Sequence, residues 1–108
     1  MTSLPPINLD EIEKVVAAAD RPVLIDFWAP WCGYCLRNLP IVEQLAADEA
    51  DRLSVYALNV DDNEGAREQF AIQTIPSYVL YVDGKMHVIR GSQTRKALLE
   101  AIDKARDE

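Results

Sequence analysis

The stretch Val23-Leu24-Ile25-Asp26-Phe27-Trp28 is apolar except at one position, the carboxylate Asp26. A continuous run of this kind, rather than an alternating one, predicts a strand buried on both faces. Upstream, Asn8-Leu9-Asp10-Glu11 has the form of a capping box, and Ile12, Val15, Val16 and Ala19 follow at helical spacing. Arg21-Pro22 is expected to end that helix. Downstream, a second helix is predicted from Cys32 to about Asp48, burying Leu36, Leu39, Val42, Leu45 and Ala46. Pro40 lies inside it, removing one backbone donor and crowding the preceding turn, so a kink is expected near residues 36–40.

Leu53 to Val60 reads as another buried strand, after which Asp61 or Asp62 caps a short helix ending near Phe70. Ser77 to Val82 and Met86 to Ile89 form a hairpin around Asp83-Gly84, a dipeptide suited to a type I′ turn. Gly91-Ser92 leads into a last helix with Ala97, Leu98, Ala101, Ile102 and Ala105 inward. A strand ahead of the first helix is disfavoured, because Pro5 and Pro6 supply no ladder donors.

Length and charge narrow the range of functions. At 108 residues the chain is expected to form a single domain, residues 1–108, with a core that needs no disulfide staples. A net charge of −7 argues against nucleic acid, whose affinity rests on Lys and Arg, and against an anionic membrane surface. No stretch approaches the roughly 20 apolar residues of a membrane span. The first residues carry neither a basic segment nor an apolar signal core, so a reducing, cytoplasmic setting is expected.

Cys32 and Cys35 are the only cysteines, within Trp31-Cys32-Gly33-Tyr34-Cys35. A dithiol separated by two residues can close into a small-loop disulfide and reopen without rebuilding the fold. Strand, turn, Cys-x-x-Cys and helix, in that order, is the setting in which such a pair is redox-active. A four-thiolate zinc site would need ligands that one His and no further Cys do not supply within one chain. No metal site is therefore expected. Two cysteine pairs shared across a dimer would still provide one.

The stretch Asp26-Phe27-Trp28-Ala29-Pro30-Trp31-Cys32-Gly33-Tyr34-Cys35 resembles the active-site segment of the thioredoxin family. Ile75-Pro76 is similar to that family's cis-proline loop, and Gly84 and Gly91 fall where the family keeps glycines. The resemblance covers nearly the whole chain from about Ile7. It implies an α/β thioredoxin fold: a central mixed sheet of four to five strands flanked by four helices, with the disulfide at a helix N-terminus.

The resemblance also assigns roles. Cys32 is the expected nucleophile, since unpaired N–H groups and the positive dipole end of a helix stabilise a thiolate, the species that attacks disulfides. Cys35 would resolve the mixed disulfide. Asp26, its pKa raised by burial, would take the proton from Cys35. The family usually places a Lys on the adjacent strand beside this Asp, and here Ala57 occupies that position. Ile75, ahead of a cis Pro76, would pair with an extended substrate segment, while Gly33 and Gly91 would let its backbone approach. Trp28 is expected to pack in the core and shield the disulfide, and Trp31 to line the docking surface. His87, Arg37 and Asn38 read as surface residues, and Gln73 and Thr74 as possible partner contacts.

Tyr34 departs from the usual thioredoxin, which has Pro there; Gly-Tyr resembles the dipeptide of bacterial disulfide isomerases. Tyr34 restores an N–H at the helix start that is expected to reach the Cys32 thiolate and so make the disulfide more oxidising. The reading is a monomeric protein disulfide reductase acting on disulfide-containing proteins through Cys32 and Cys35. The resemblance implies no tightly bound cofactor, and the reductant it implies is an NADPH-dependent flavoprotein reductase. The alternatives are an isomerase or oxidant of the same fold, and a non-catalytic binding module.

Overall fold

The computed structural model describes residues 2–107. Val23–Trp28 is the strand β1, and all six of its residues are buried. It lies inside a four-stranded sheet of order β2-β1-β3-β4, where β2 is Ser54–Asn59, β3 is Ser77–Val82 and β4 is Lys85–Arg90. β1 runs parallel to β2 and antiparallel to β3, and β3 and β4 are antiparallel. The sheet is thus mixed. Parallel neighbours require a crossover, which the helix α2, Gly33–Asp48, supplies between β1 and β2.

Side chains alternate across β1, so the two faces have separate cores. Leu24 and Trp28 face α2 and the C-terminal helix α4 (Arg95–Arg106), packing with Leu39, Val42, Leu45, Leu98 and Ile102. Ile25 and Phe27 face the first helix α1 (Ile12–Ala18) and the short α3 (Ala66–Gln69). There Phe27 meets Phe70 edge to face, with ring centroids 5.4 Å apart. By the same alternation Asp26 points to the α2 and α4 side.

The capping box at Asn8 and Glu11 forms, but its first turn is a 3-10 helix, Leu9–Glu11, that leads into α1. Helix α1 ends at Ala18, ahead of Arg21-Pro22, and Ala19 is its extended C-cap. Helix α2 begins at Gly33, with Cys32 as N-cap, and is continuous through Pro40. Within it Leu36 is 42% exposed, contrary to expectation, and the buried position on that turn is Asn38. A stripe through Cys35, Asn38, Leu39, Val42 and Leu45 faces the core, and Leu36 lies one residue off it.

The segment after β2 also differs from the sequence reading. Asn59, not Asp61 or Asp62, caps a 3-10 turn over Val60–Asp62 through its side chain, which accepts from the Asp61 N–H. Helix α3 then starts after Gly65, whose φ of +85° lets the chain reverse. The β3–β4 turn has φ of +52° at Asp83 and +80° at Gly84, the pattern of a type I′ turn. At the N-terminus no full strand forms. Pro5 and Ile7 nevertheless pair with the outer edge of β2: the Ile7 N–H donates to the Ala57 carbonyl at 2.9 Å, and the Ala57 N–H to the Pro5 carbonyl at 3.0 Å.

Candidate active site

The C-terminal end of β1 passes through Ala29 and a short turn into α2, and this junction places the two cysteines. Cys32 and Cys35 are joined by a disulfide, with Cα atoms 5.2 Å apart. Cys32 is the helix N-cap, and its Sγ accepts a hydrogen bond from the Cys35 N–H at 3.2 Å. Sulfur here takes the place of the Ser or Asp oxygen that usually satisfies a first-turn donor. The donor is therefore Cys35, not Tyr34 as the sequence suggested. Both cysteines are buried with Trp28 and Ala29.

The peptide bond between Ile75 and Pro76 is cis. It brings the Ile75 carbonyl oxygen to 3.6 Å from Cys32 Sγ. The Gly91 N–H donates to the Pro76 carbonyl at 3.0 Å, so the loop after β4 lies against the proline loop, and Gly91 has a φ of +86°. Ser77 Oγ donates to the Thr74 carbonyl at 2.7 Å, which closes the loop on its other side. Around the disulfide, Trp31 and Tyr34 are 64% and 66% exposed. The Trp31 indole N–H donates to Asp61 Oδ1 at 3.0 Å, which ties the ring to the 3-10 turn after β2. Arg37 lies over the Tyr34 ring, 4.7 Å from its centroid. Gly33 is exposed, and a Cβ there would meet the flexible end of Arg37 at 3.4 Å.

Asp26 is buried in the middle of β1, opposite Ala57 on β2 and Tyr78 on β3. Its Oδ1 has no hydrogen-bond partner among the described residues. Burial, helped by the negative charge of Glu43, pushes its pKa from 3.8 up to about 7. Ala57 supplies no counter-charge. Glu43 itself stays below its ordinary value, because the Ser3 backbone N–H and the Thr2 hydroxyl hydrogen-bond its carboxylate. The Tyr78 phenol is pushed up by burial and then by Asp26.

The sequence reading missed Asn38. Its amide is 4% exposed and links three elements: Oδ1 accepts from the Tyr78 hydroxyl and from the Gln93 N–H, both at 2.8 Å, and Nδ2 donates to the Gln93 carbonyl at 2.9 Å. Its position three residues after Cys35, on the buried stripe of α2, was the available signal. His87 is half-buried on β4 opposite Leu80, away from the cysteines in sequence, and its Nε2 has no partner among the described residues. Gln73 and Thr74 are exposed. Among the described residues no group of three or more His, Cys, Asp or Glu converges as a metal site would, and no helix is long and apolar enough to cross a membrane.

Comparison with known proteins agrees with this geometry. The family model described as Thioredoxin matches residues 4–104. The chain is 41% identical over 95 residues to a thioredoxin of Acidithiobacillus ferridurans, covering 88% of each protein. It is 40% identical over 80 residues to a thioredoxin of Haemophilus influenzae, covering 74% of this chain and 75% of that one. Its fold is similar to that of oxidised mitochondrial thioredoxin 3 of Saccharomyces cerevisiae, with a TM-score of 0.83 at 27% identity over 94% of this chain and 95% of that one. Chloroplastic thioredoxin z shares the fold, with a TM-score of 0.87 at 24% identity over 100% of this chain and 98% of that one. A paired Cys-x-x-Cys at a helix start, on a sheet of this topology and with relatives of this closeness, leaves one assignment: the chain belongs to the thioredoxin family and is a protein thiol–disulfide oxidoreductase.

Proposed function

We propose that the chain works as a single thioredoxin-like domain, residues 1–108, that reduces disulfides in other proteins. The observation that carries this reading is the pairing of a disulfide whose Cys32 sulfur caps α2 with a buried, unpartnered Asp26 on the same side of the sheet. In the reduced protein the Cys32 thiolate attacks one sulfur of the target disulfide. A mixed disulfide forms and the target's other sulfur leaves as a thiolate. Cys35 then attacks Cys32 Sγ, closing the Cys32–Cys35 bond and releasing the second target thiolate. Two electrons pass to the target, and the proton of Cys35 goes to Asp26, which is ionised in part at neutral pH.

The target segment lies extended across Ile75 and Gly91, adding its backbone to the loop edge as a short strand, between Trp31 and Tyr34. Gly33 and Gly91 keep the approach free of side chains beside Pro76, while Trp28 backs the disulfide from inside and Pro40 lies in the helix that carries it. The oxidised protein is returned to the dithiol by an NADPH-dependent flavoprotein reductase, so the chain serves electron transport and redox homeostasis in the cytoplasm as a monomer. An isomerase or oxidant role is the second reading, favoured by Tyr34 in place of Pro.

A Cys35→Ser variant tests the order of attack. It is expected to accumulate a mixed disulfide through Cys32 with a protein substrate such as insulin, detectable by mass spectrometry, while Cys32→Ser accumulates none. Trapping through Cys35 instead would reverse the roles. A glutathione redox titration separates reductase from oxidant: a potential at or below the cytosolic poise supports the reductase, and a clearly higher one the second reading.

A further inference from the structure

Gly91, Ser92 and Gln93 form the outer wall of the docking edge, and they are held on two sides. On one side Gly91 bonds to the Pro76 carbonyl, and the Gln93 side chain returns to the Arg90 and Gly91 carbonyls at 3.0 and 3.2 Å. On the other side the Gln93 backbone is tied to α2 by both of its groups, N–H and C=O, and both bonds end on the one Asn38 amide. A shallow groove of about 320 Å³ runs between these walls, lined by Tyr34, Arg37, Asn38, Ile41 and residues 92–94.

Asn38 reaches this position with its polar capacity largely used. Both lone pairs of its oxygen are taken, one by Gln93 and one by the Tyr78 hydroxyl. Tyr78 is fully buried on β3, opposite Asp26. The amide therefore cannot rotate without leaving a buried donor unpaired. Because α2 also carries Cys32 and Cys35, this amide ties the loop directly to the element that holds the disulfide.

We propose that Asn38 is a positioning residue for protein substrates, fixing the Gly91–Gln93 wall at a set distance from the disulfide so that an extended segment finds both at once. This rests on the docking reading above, in which the target lies across Ile75 and Gly91. A small disulfide needs only to reach Cys32 and gains nothing from the wall. The effect of Asn38 is therefore confined to macromolecular substrates.

The test uses the full chain with dithiothreitol as electron donor. It compares insulin reduction with the rate at which the reduced protein attacks hydroxyethyl disulfide. Asn38→Leu breaks the link to Gln93 but strands the Tyr78 hydroxyl. Asn38→Leu combined with Tyr78→Phe removes the stranded hydroxyl as well, so that only the half-buried Gln93 backbone groups lose a partner, and it serves where the single variant does not fold. Expected for both is a KM for insulin raised about threefold to tenfold, the equivalent of roughly one buried hydrogen bond, with kcat and the small-disulfide rate unchanged. Equal losses on both substrates, or an unchanged insulin KM, overturn the proposal.

Ile12→Ala, on the opposite face of the sheet and matched in stability loss, should leave the insulin KM alone. If it raises KM as much as the Asn38 variants do, the role of Asn38 is merely structural and the proposal fails. Gly91→Val examines the docking reading separately. Should it raise the insulin KM while the Asn38 variants do not, the link is refuted and the docking reading stands. Should neither move it, the docking reading falls as well.

Discussion

Replacing Asp26 by Asn removes the charge of this carboxylate while keeping the shape of its protonated form. In the fold this carboxylate titrates near 7 rather than 3.8, chiefly because it is buried. At 1.36 kcal/mol for each tenfold of proton activity, the ionised form is disfavoured in the native state by up to about 4 kcal/mol. The sign follows from proton counting. Between pH 4 and 7 the native state keeps a proton that the unfolded state has lost, so stability falls as pH rises through this window and levels off above it. Against a total of about 5–15 kcal/mol for a domain, this is a large fraction.

Asp26→Asn should therefore gain little at pH 4 and up to about 4 kcal/mol at pH 8, measured as a shift in guanidinium midpoint with the disulfide closed, so that no thiol titrates. If Asp26 takes the Cys35 proton as proposed, the same variant should also slow release of the mixed disulfide at neutral pH. An equal stability change at pH 4 and pH 8 would refute the claim that the native carboxylate is held protonated by its surroundings.

Ala57→Lys would place an ammonium opposite Asp26 on β2. It should lower the Asp26 pKa and move the pH window of stability loss downward, observable by carboxyl NMR titration; an unmoved midpoint would count against the pairing. Tyr34→Pro removes one N–H dipole from the positive end of α2, leaving the Cys35 bond to Cys32 Sγ in place, and should lower the reduction potential, by about 30 mV for each tenfold change in the equilibrium with glutathione. A potential equal to that of the parent would show that this amide does not act on Cys32. Gly84→Ala meets no neighbouring atom within 4 Å, so its cost comes from the φ of +80° alone. A loss of about 1 kcal/mol in a urea melt is expected, and no loss would mean that the turn can relax.

Much of this site could be read in the sequence because it depends on runs and spacings. Val23–Trp28 announced a buried strand with one carboxylate, and that strand now holds Asp26 beneath no counter-charge. Asp83-Gly84 announced its turn because both positions need positive φ. Other features depend on distant partners, which local patterns do not show. Asn38 reads as a surface polar residue until Tyr78 and Gln93, remote in sequence, are seen to saturate it. Leu36 was placed inside because it is apolar, yet the buried stripe of α2 passes through its neighbours Cys35 and Asn38. Likewise, Asp61 and Asp62 look like caps, but the backbone turns earlier, at Asn59, and α3 begins only after Gly65.

The way Pro5 and Ile7 meet Ala57 bears on self-association. β2 and β4 are the two margins of the sheet, where unpaired backbone groups could recruit a strand from another molecule. On β2 the Ala57 N–H and C=O are already occupied, by a segment whose two adjacent prolines cannot propagate a ladder outward. On β4, Lys85 and Arg90 stand exposed at its two ends. The two sheet margins are thus poorly suited to recruiting a second copy, so the extended segments proposed to dock at the redox edge would not compete with stacking of the protein onto itself.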